Sequence, residues 1–176
     1  MSLRTRLGAA LLPAALLLEP AASQAETVEG WWEHLDWPPR LTLDHVLLQA
    51  GLYTTHFSND PDHTNDQRLI SLEWHTPDRW FAGGARFRNS FSQESHYLYA
   101  GREFPFWQAG DVSFRAKLTA GLLHGYRGEY RDKIPFNHLG VAPAFLPTLG
   151  ARWRRVETDL IVFGTAGMMI TAGWRF

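Results

Sequence analysis

The chain has 176 residues, no cysteine and a formal net charge of -1, which leaves no disulfide framework and no basic footprint for nucleic acid. A hydrophobic fraction of 45% at a mean hydropathy of -0.25 excludes a helical membrane protein, because Arg, Asp, Glu, Gly or Pro breaks each apolar run after the first 25 residues. Both values suit a chain in which apolar and polar residues alternate.

At the N-terminus Arg4 and Arg6 precede an apolar run over 7–18 and the small residues Ala21, Ala22, Ser23 and Ala25. That layout predicts a signal peptide over 1–25, cleaved after Ala25. Next, Val28, Trp31, Trp32 and Leu35 recur at helical spacing, opposite Glu29, Glu33 and Asp36, and Pro38 and Pro39 stop the pattern. A short amphipathic helix is expected over 26–40, its two-Trp face suited to a bilayer interface on the periplasmic side.

From residue 41 to residue 176 the period changes to two. Strand-length segments are expected over 41–57, 68–76, 79–89, 95–106, 112–125, 141–153, 159–163 and 168–176, separated by turn signals. The clearest is the fifth, where Val112, Phe114, Ala116, Leu118, Ala120 and Leu122 alternate with Ser113, Arg115, Lys117, Thr119 and Gly121. In the last, Ile170, Ala172 and Trp174 alternate with Thr171, Gly173 and Arg175 up to an aromatic terminus. This predicts an all-β fold, an eight-stranded antiparallel transmembrane β-barrel of the Gram-negative outer membrane. The longer connections, 58–67, 90–94 and 126–138, with 164–167 on the same side, are then its outer loops.

Histidines are the natural acid–base candidates. His34 belongs to the amphipathic helix, His45 and His75 fall towards the periplasmic strand ends, and His63 lies in a loop with Asp60, Asp62 and Asp66, read as solvated charge rather than a cation site. His56 differs because it closes the first strand at the outer rim, facing opposite to Phe57. Asn89 and Ser90 end the third strand at the same level. A hydroxyl within reach of an imidazole is the minimum set for acyl transfer.

The exported chain, the amphipathic helix, the eight strands and the string Phe87-Arg88-Asn89-Ser90-Phe91 together resemble the lipid A palmitoyltransferase (PagP) family. The resemblance assigns His56 and Ser90 to the family's catalytic His and Ser and puts Asn89 where its Asp stands; Asn cannot ionise, so it would orient a partner or donate to an oxyanion. It implies that Pro143 and Pro147 open a lateral gap for lipid entry and that Gly101 sets the depth of an acyl pocket. The implied reaction moves a palmitoyl chain from a phospholipid donor to a lipid A acceptor. His56 is the base and Ser90 helps to bind or activate, with no cofactor or metal, no nucleic acid partner and a monomeric barrel in the bilayer. Nothing in the sequence indicates an acyl-enzyme step. Two rival readings stay open: a lipid A deacylase, whose His-x-Ser-Asn string matches His56-Phe57-Ser58-Asn59 but lies late in that family's chains, and a small barrel without enzymatic activity.

Overall fold

A computed structural model describes residues 38–57 and 63–176, so the expected signal peptide and most of the amphipathic segment lie outside the described residues. Eight strands follow in chain order: β1 (His45–His56), β2 (Ile70–His75), β3 (Trp80–Arg88), β4 (Glu94–Ala109), β5 (Val112–His124), β6 (Val141–Trp153), β7 (Val156–Val162) and β8 (Gly167–Arg175). Each pairs antiparallel with the next, and β8 returns to β1, closing the sheet into a barrel. Closure gives every strand a neighbour on both sides over at least part of its length, which is how an all-β chain satisfies its backbone without covering helices.

The period-two pattern decides the faces. On β5, Arg115, Lys117 and Thr119 are buried inside the barrel, whereas Leu118 and Leu122 are 51% and 56% exposed outside it. The same inversion runs round the wall: Leu48, Ile70, Leu72, Leu98, Phe145, Leu149 and Ile170 are exposed, while Gln49, Ser71, Glu73, Thr148, Asp159 and Thr171 are buried. At one end the exposed aromatics Trp74, Phe106, Trp107, Trp153 and Trp174 gather.

That end carries the short turns. β2 and β3 are joined through Pro77 and Asp78, with Thr76 N–H donating to Trp80 O at 2.8 Å and Arg79 at φ 70°. β4 runs on to Ala109 before Gly110 turns it into β5, and only Arg154 and Arg155 separate β6 from β7. The opposite, loop end carries Phe57, 63–69, 89–93, a 3-10 turn over Gly128–Lys133 and 163–166.

Two departures from regular pairing shape the loop end. First, β1 carries a bulge, its partner on β8 jumping from Gly51↔Thr171 to Tyr53↔Ile170. One extra residue reverses the alternation. Below the bulge the odd-numbered His45, Leu47 and Gln49 face inward; above it Thr54, 5% exposed, and His56 do so, while Leu52 and Tyr53 both face out. Second, β6 pairs with β5 along its full length, but its ladder with β7 spans only Thr148↔Ile161 to Trp153↔Val156. The upper half of β6 therefore has no strand partner on its β7 side.

Inside the turn half, ionic side chains fill much of the space, with Leu47 and Phe81 buried among them. Arg115 bonds Asp159 at 2.7 Å, Glu103 at 3.0 Å and also Glu157; Arg152 bonds Glu157 at 2.6 Å and Glu103 at 2.7 Å; Lys117 lies 2.6 Å from Glu73. His75 joins through Glu73 at 2.8 Å and stacks on His45 at 4.3 Å, so both histidines are structural members of this plug. Cations and carboxylates pair with one another, the condition under which buried charge is tolerated.

Candidate functional site

Above the plug the interior opens into a cavity of about 440 Å³. Its walls are Leu69, Ala85, Phe87, Leu123, Leu146 and Met169, and its floor is polar, formed by Gln49, Ser71, Glu73, Lys117 and Asp159. Tyr97 and Tyr99 stack at 4.7 Å on one side, in space that exists because Gly121 lacks a Cβ; an atom there would meet Tyr99 Cβ at 2.7 Å. An apolar shaft with polar groups at its two ends can take a chain-like ligand with a polar head.

At the mouth the structure brings His56 and Ser90 together. His56 Nε2 lies 2.8 Å from Ser90 Oγ, across the rim from β1 to the β3–β4 loop and 34 residues apart in the chain. The bulge in β1 makes this possible, because without it the parity of the lower strand would point position 56 outward. Both residues line the cavity.

Three further side chains complete the cluster, and the sequence reading did not single them out as functional. Asn65 Oδ1 lies 2.8 Å from the other ring nitrogen, His56 Nδ1. Its acceptor oxygen places the proton on Nδ1 and leaves the Nε2 lone pair facing Ser90. Tyr126 hydrogen-bonds Ser90 from the start of the β5–β6 loop, and burial pushes its phenol above the usual range, so the hydroxyl stays a donor. His63, read from sequence as a bystander, packs its ring 4.8 Å from that of His56 and 5.1 Å from Phe91. The chain reaches this arrangement through two backbone bonds across the rim, Thr64 N–H to Ser90 O at 2.8 Å and Arg88 N–H to Gln67 O at 2.6 Å.

The remaining predicted site residues lie elsewhere. Asn89 is 1% exposed and its carboxamide is spent on the loop itself. Oδ1 accepts the N–H groups of Phe91 and Gln93, both at 3.0 Å, and Nδ2 donates to Gly125 O at 3.4 Å. It touches the loop that carries Ser90 and makes no bond to the His56–Ser90 pair. Gly101 faces inward but below the cavity, where an added Cβ would sit 2.6 Å from Phe81 Cζ. Pro143 and Pro147 line no part of the cavity; they occupy outward positions in the half of β6 that β7 does not pair. The β5–β6 register continues past both, so the edge they weaken is the one towards β7, where a missing N–H cannot extend the ladder.

The acidic loop residues Asp60 and Asp62, and the Ser58-Asn59 pair of the deacylase-like string, lie outside the described residues. Among the described residues no group of three or more His, Asp or Glu side chains has the geometry to hold a metal ion. No protein-family model matches the chain, and no curated protein matches it in sequence.

Proposed function

We propose that this protein is an outer-membrane acyltransferase that moves a palmitoyl chain from a phospholipid to lipid A. The observation that carries the reading is the His56–Ser90 pair, 2.8 Å apart at the mouth of an apolar shaft. A chain that fills the shaft leaves its ester carbonyl at that pair. The family resemblance supplies the identity of donor and acceptor.

The barrel wall supports a bilayer setting. Its outer face is apolar from strand to strand and bears aromatics at the turn end, the arrangement a barrel needs when lipid is its solvent. With the turn end in the periplasm, the site sits at the level of the outer leaflet. The unpaired stretch between β6 and β7 then offers a lateral route from that leaflet to the shaft, and the neighbouring prolines account for it. His56 acts as general base towards a hydroxyl, and the Tyr126 hydroxyl faces the charge that develops on the attacked carbonyl.

The test is the lipid A of cells expressing the protein, compared by mass spectrometry with that of cells expressing His56→Ala. A gain of one palmitoyl chain that depends on His56 supports the proposal. Loss of a chain replaces it with the deacylase reading, and unchanged lipid A removes transfer to lipid A as the function.

A further inference from the structure

We infer that the reaction runs through a covalent acyl-enzyme on Ser90, with Asn65 as the residue that positions its base; this rests on the acyl-transfer reading of the same site. The observation is the order of the groups. Asn65 Oδ1, the two nitrogens of His56 and Ser90 Oγ form one continuous hydrogen-bonded line, with 2.8 Å at each of its two contacts. A base that merely deprotonates an incoming hydroxyl needs no resident hydroxyl on Nε2. Here that nitrogen already faces Ser90, and the opposite nitrogen is held by an acceptor that fixes the tautomer. Nucleophile, base and orienting group stand in the relation by which triads are recognised, with Asn in the third place.

The chemistry closes. Ser90 Oγ gives its proton to His56 Nε2 and adds to the ester carbonyl of the donor. The oxyanion of the tetrahedral intermediate forms beside the Tyr126 hydroxyl, which already bonds Ser90. The bond from the carbonyl carbon to the glycerol oxygen breaks, that oxygen takes the proton from Nε2, and a lysophospholipid leaves. Ser90 now carries the acyl chain as an ester, and the chain remains in the shaft. An acceptor hydroxyl passes its proton to Nε2 and attacks the ester, and Ser90 departs with that proton restored. Water in place of the acceptor gives a free fatty acid by the same two steps.

Asn in the third place has a consequence. It accepts the Nδ1 proton without a charge, so it orients the imidazole but stabilises the imidazolium less than a carboxylate does.

The experiment uses the full barrel folded in detergent and a long-chain alkyl fluorophosphonate, whose fluoride a reactive serine displaces, read by intact mass and peptide mapping. The wild type is expected to label on Ser90. Ser90→Ala is expected to stay unlabelled, His56→Ala to label at least 100-fold more slowly, and Asn65→Ala at least tenfold more slowly. Asn65→Asp should recover most of the rate and move the rising limb of labelling to higher pH, because a carboxylate holds the imidazolium; a residue that only braced the loop would not shift that limb. Heat-modifiable migration on gels confirms that each variant is folded.

Incubation with a phosphatidylcholine donor followed by acid quench should add one acyl mass to Ser90. Phospholipid turnover with no acyl group on Ser90, or labelling that is indifferent to His56, overturns the inference while leaving acyl transfer standing. Labelling of Asn65→Ala at the wild-type rate removes Asn65 from it. Lipid A that stays unaltered in cells while Ser90 still labels and acylates removes the proposed acceptor and keeps the acyl-enzyme.

Discussion

Lys117 Nζ lies 2.6 Å from Glu73 Oε2, both side chains almost fully buried and 44 residues apart in sequence. Glu73 also holds His75 at 2.8 Å and the Tyr99 hydroxyl at 3.0 Å, so this one carboxylate ties β2, β4 and β5 together beneath the cavity. Removing one partner of such a pair strands the other charge, at a cost of about 3–5 kcal/mol. Lys117→Met is expected to fall near the lower figure, since Glu73 keeps two other partners. Urea unfolding of the barrel in lipid vesicles measures it, and the double variant with Glu73→Gln should lose less than Lys117→Met alone. Equal losses would mean that the pair is not what holds the plug.

The β1 bulge makes a prediction about register. Deleting Leu52 removes the one extra residue between Gly51 and Tyr53, so regular alternation resumes with Tyr53 outward and Thr54 and His56 still inward. Acyl transfer should then stay close to the wild-type rate. Deleting Thr55 above the bulge instead puts His56 in the outward place next to Thr54, and transfer should drop by about 10²–10⁴-fold, the usual contribution of a general base. Gel migration should report a folded barrel in both. Loss of transfer on deleting Leu52, or its survival on deleting Thr55, would show that strand parity does not set the site.

Asn89 predicts a different pattern. Its Oδ1 accepts two backbone N–H groups at 3.0 Å, and each buried donor left unsatisfied costs about 1–3 kcal/mol. Asn89→Ala should therefore lower the unfolding midpoint and slow the reaction by displacing Ser90. Asn89→Asp keeps the oxygen that accepts both N–H groups and forfeits the weaker Nδ2 bonds to Gly125 O and Gln93 Oε1, so it should retain more stability and more activity than Asn89→Ala. The reverse order in a urea titration would rule out the loop-holding role.

The barrel was legible in the sequence because alternation is a local signal, strongest where Arg115 and Lys117 alternate with Phe114, Ala116 and Leu118. Three boundaries were harder to read, the first being the start of β1, at His45 rather than at residue 41. β7 begins at Val156 rather than at residue 159, since the turn before it is made by Arg154, at φ 55°, and Arg155, neither of them a customary turn residue. β4 runs to Ala109 through a register shift between Pro105 and Trp107, which masks its alternation. His56 and Ser90 could be named because the first ends β1 and the second lies two residues past β3, at a rim the topology brings level, and because the string around Ser90 carries the family resemblance. Asn65, His63 and Tyr126 could not, because their contacts depend on how two loops fold over the rim, and a polar loop residue looks the same in sequence whether it orients a base or faces water. Asn89 was legible as a position but not as a role, which follows from the backbone groups that surround it.

The opening beside β6 makes a prediction about access. Replacing Pro143 and Pro147 by Ala restores the missing N–H donors on the half of β6 that has no partner on its β7 side. If lipid enters there, transfer from a bilayer donor should slow several-fold. Hydrolysis of a short soluble ester, which reaches the mouth from water, should hardly change. A matched fall in both rates would place the effect in the site rather than in the gate.

Tyr126 gives the pH dependence. Burial raises its phenol above the ordinary value of 10, against a smaller opposing effect of the bond to Ser90. The sign follows from proton binding: above pH 10 the unfolded chain releases this proton while the folded barrel retains it, so unfolding becomes easier. The stabilisation is complete below the unfolded value and is lost as pH rises through the folded one. Over that window the wild-type unfolding midpoint should fall more steeply with pH than that of Tyr126→Phe, which has no such proton to lose. The same variant removes the donor beside Ser90, and the loss of one oxyanion contact is worth about 10²–10³-fold in rate. Parallel midpoint curves would show that Tyr126 is already ionised or exposed in the folded barrel, and its role at the site would fall with them.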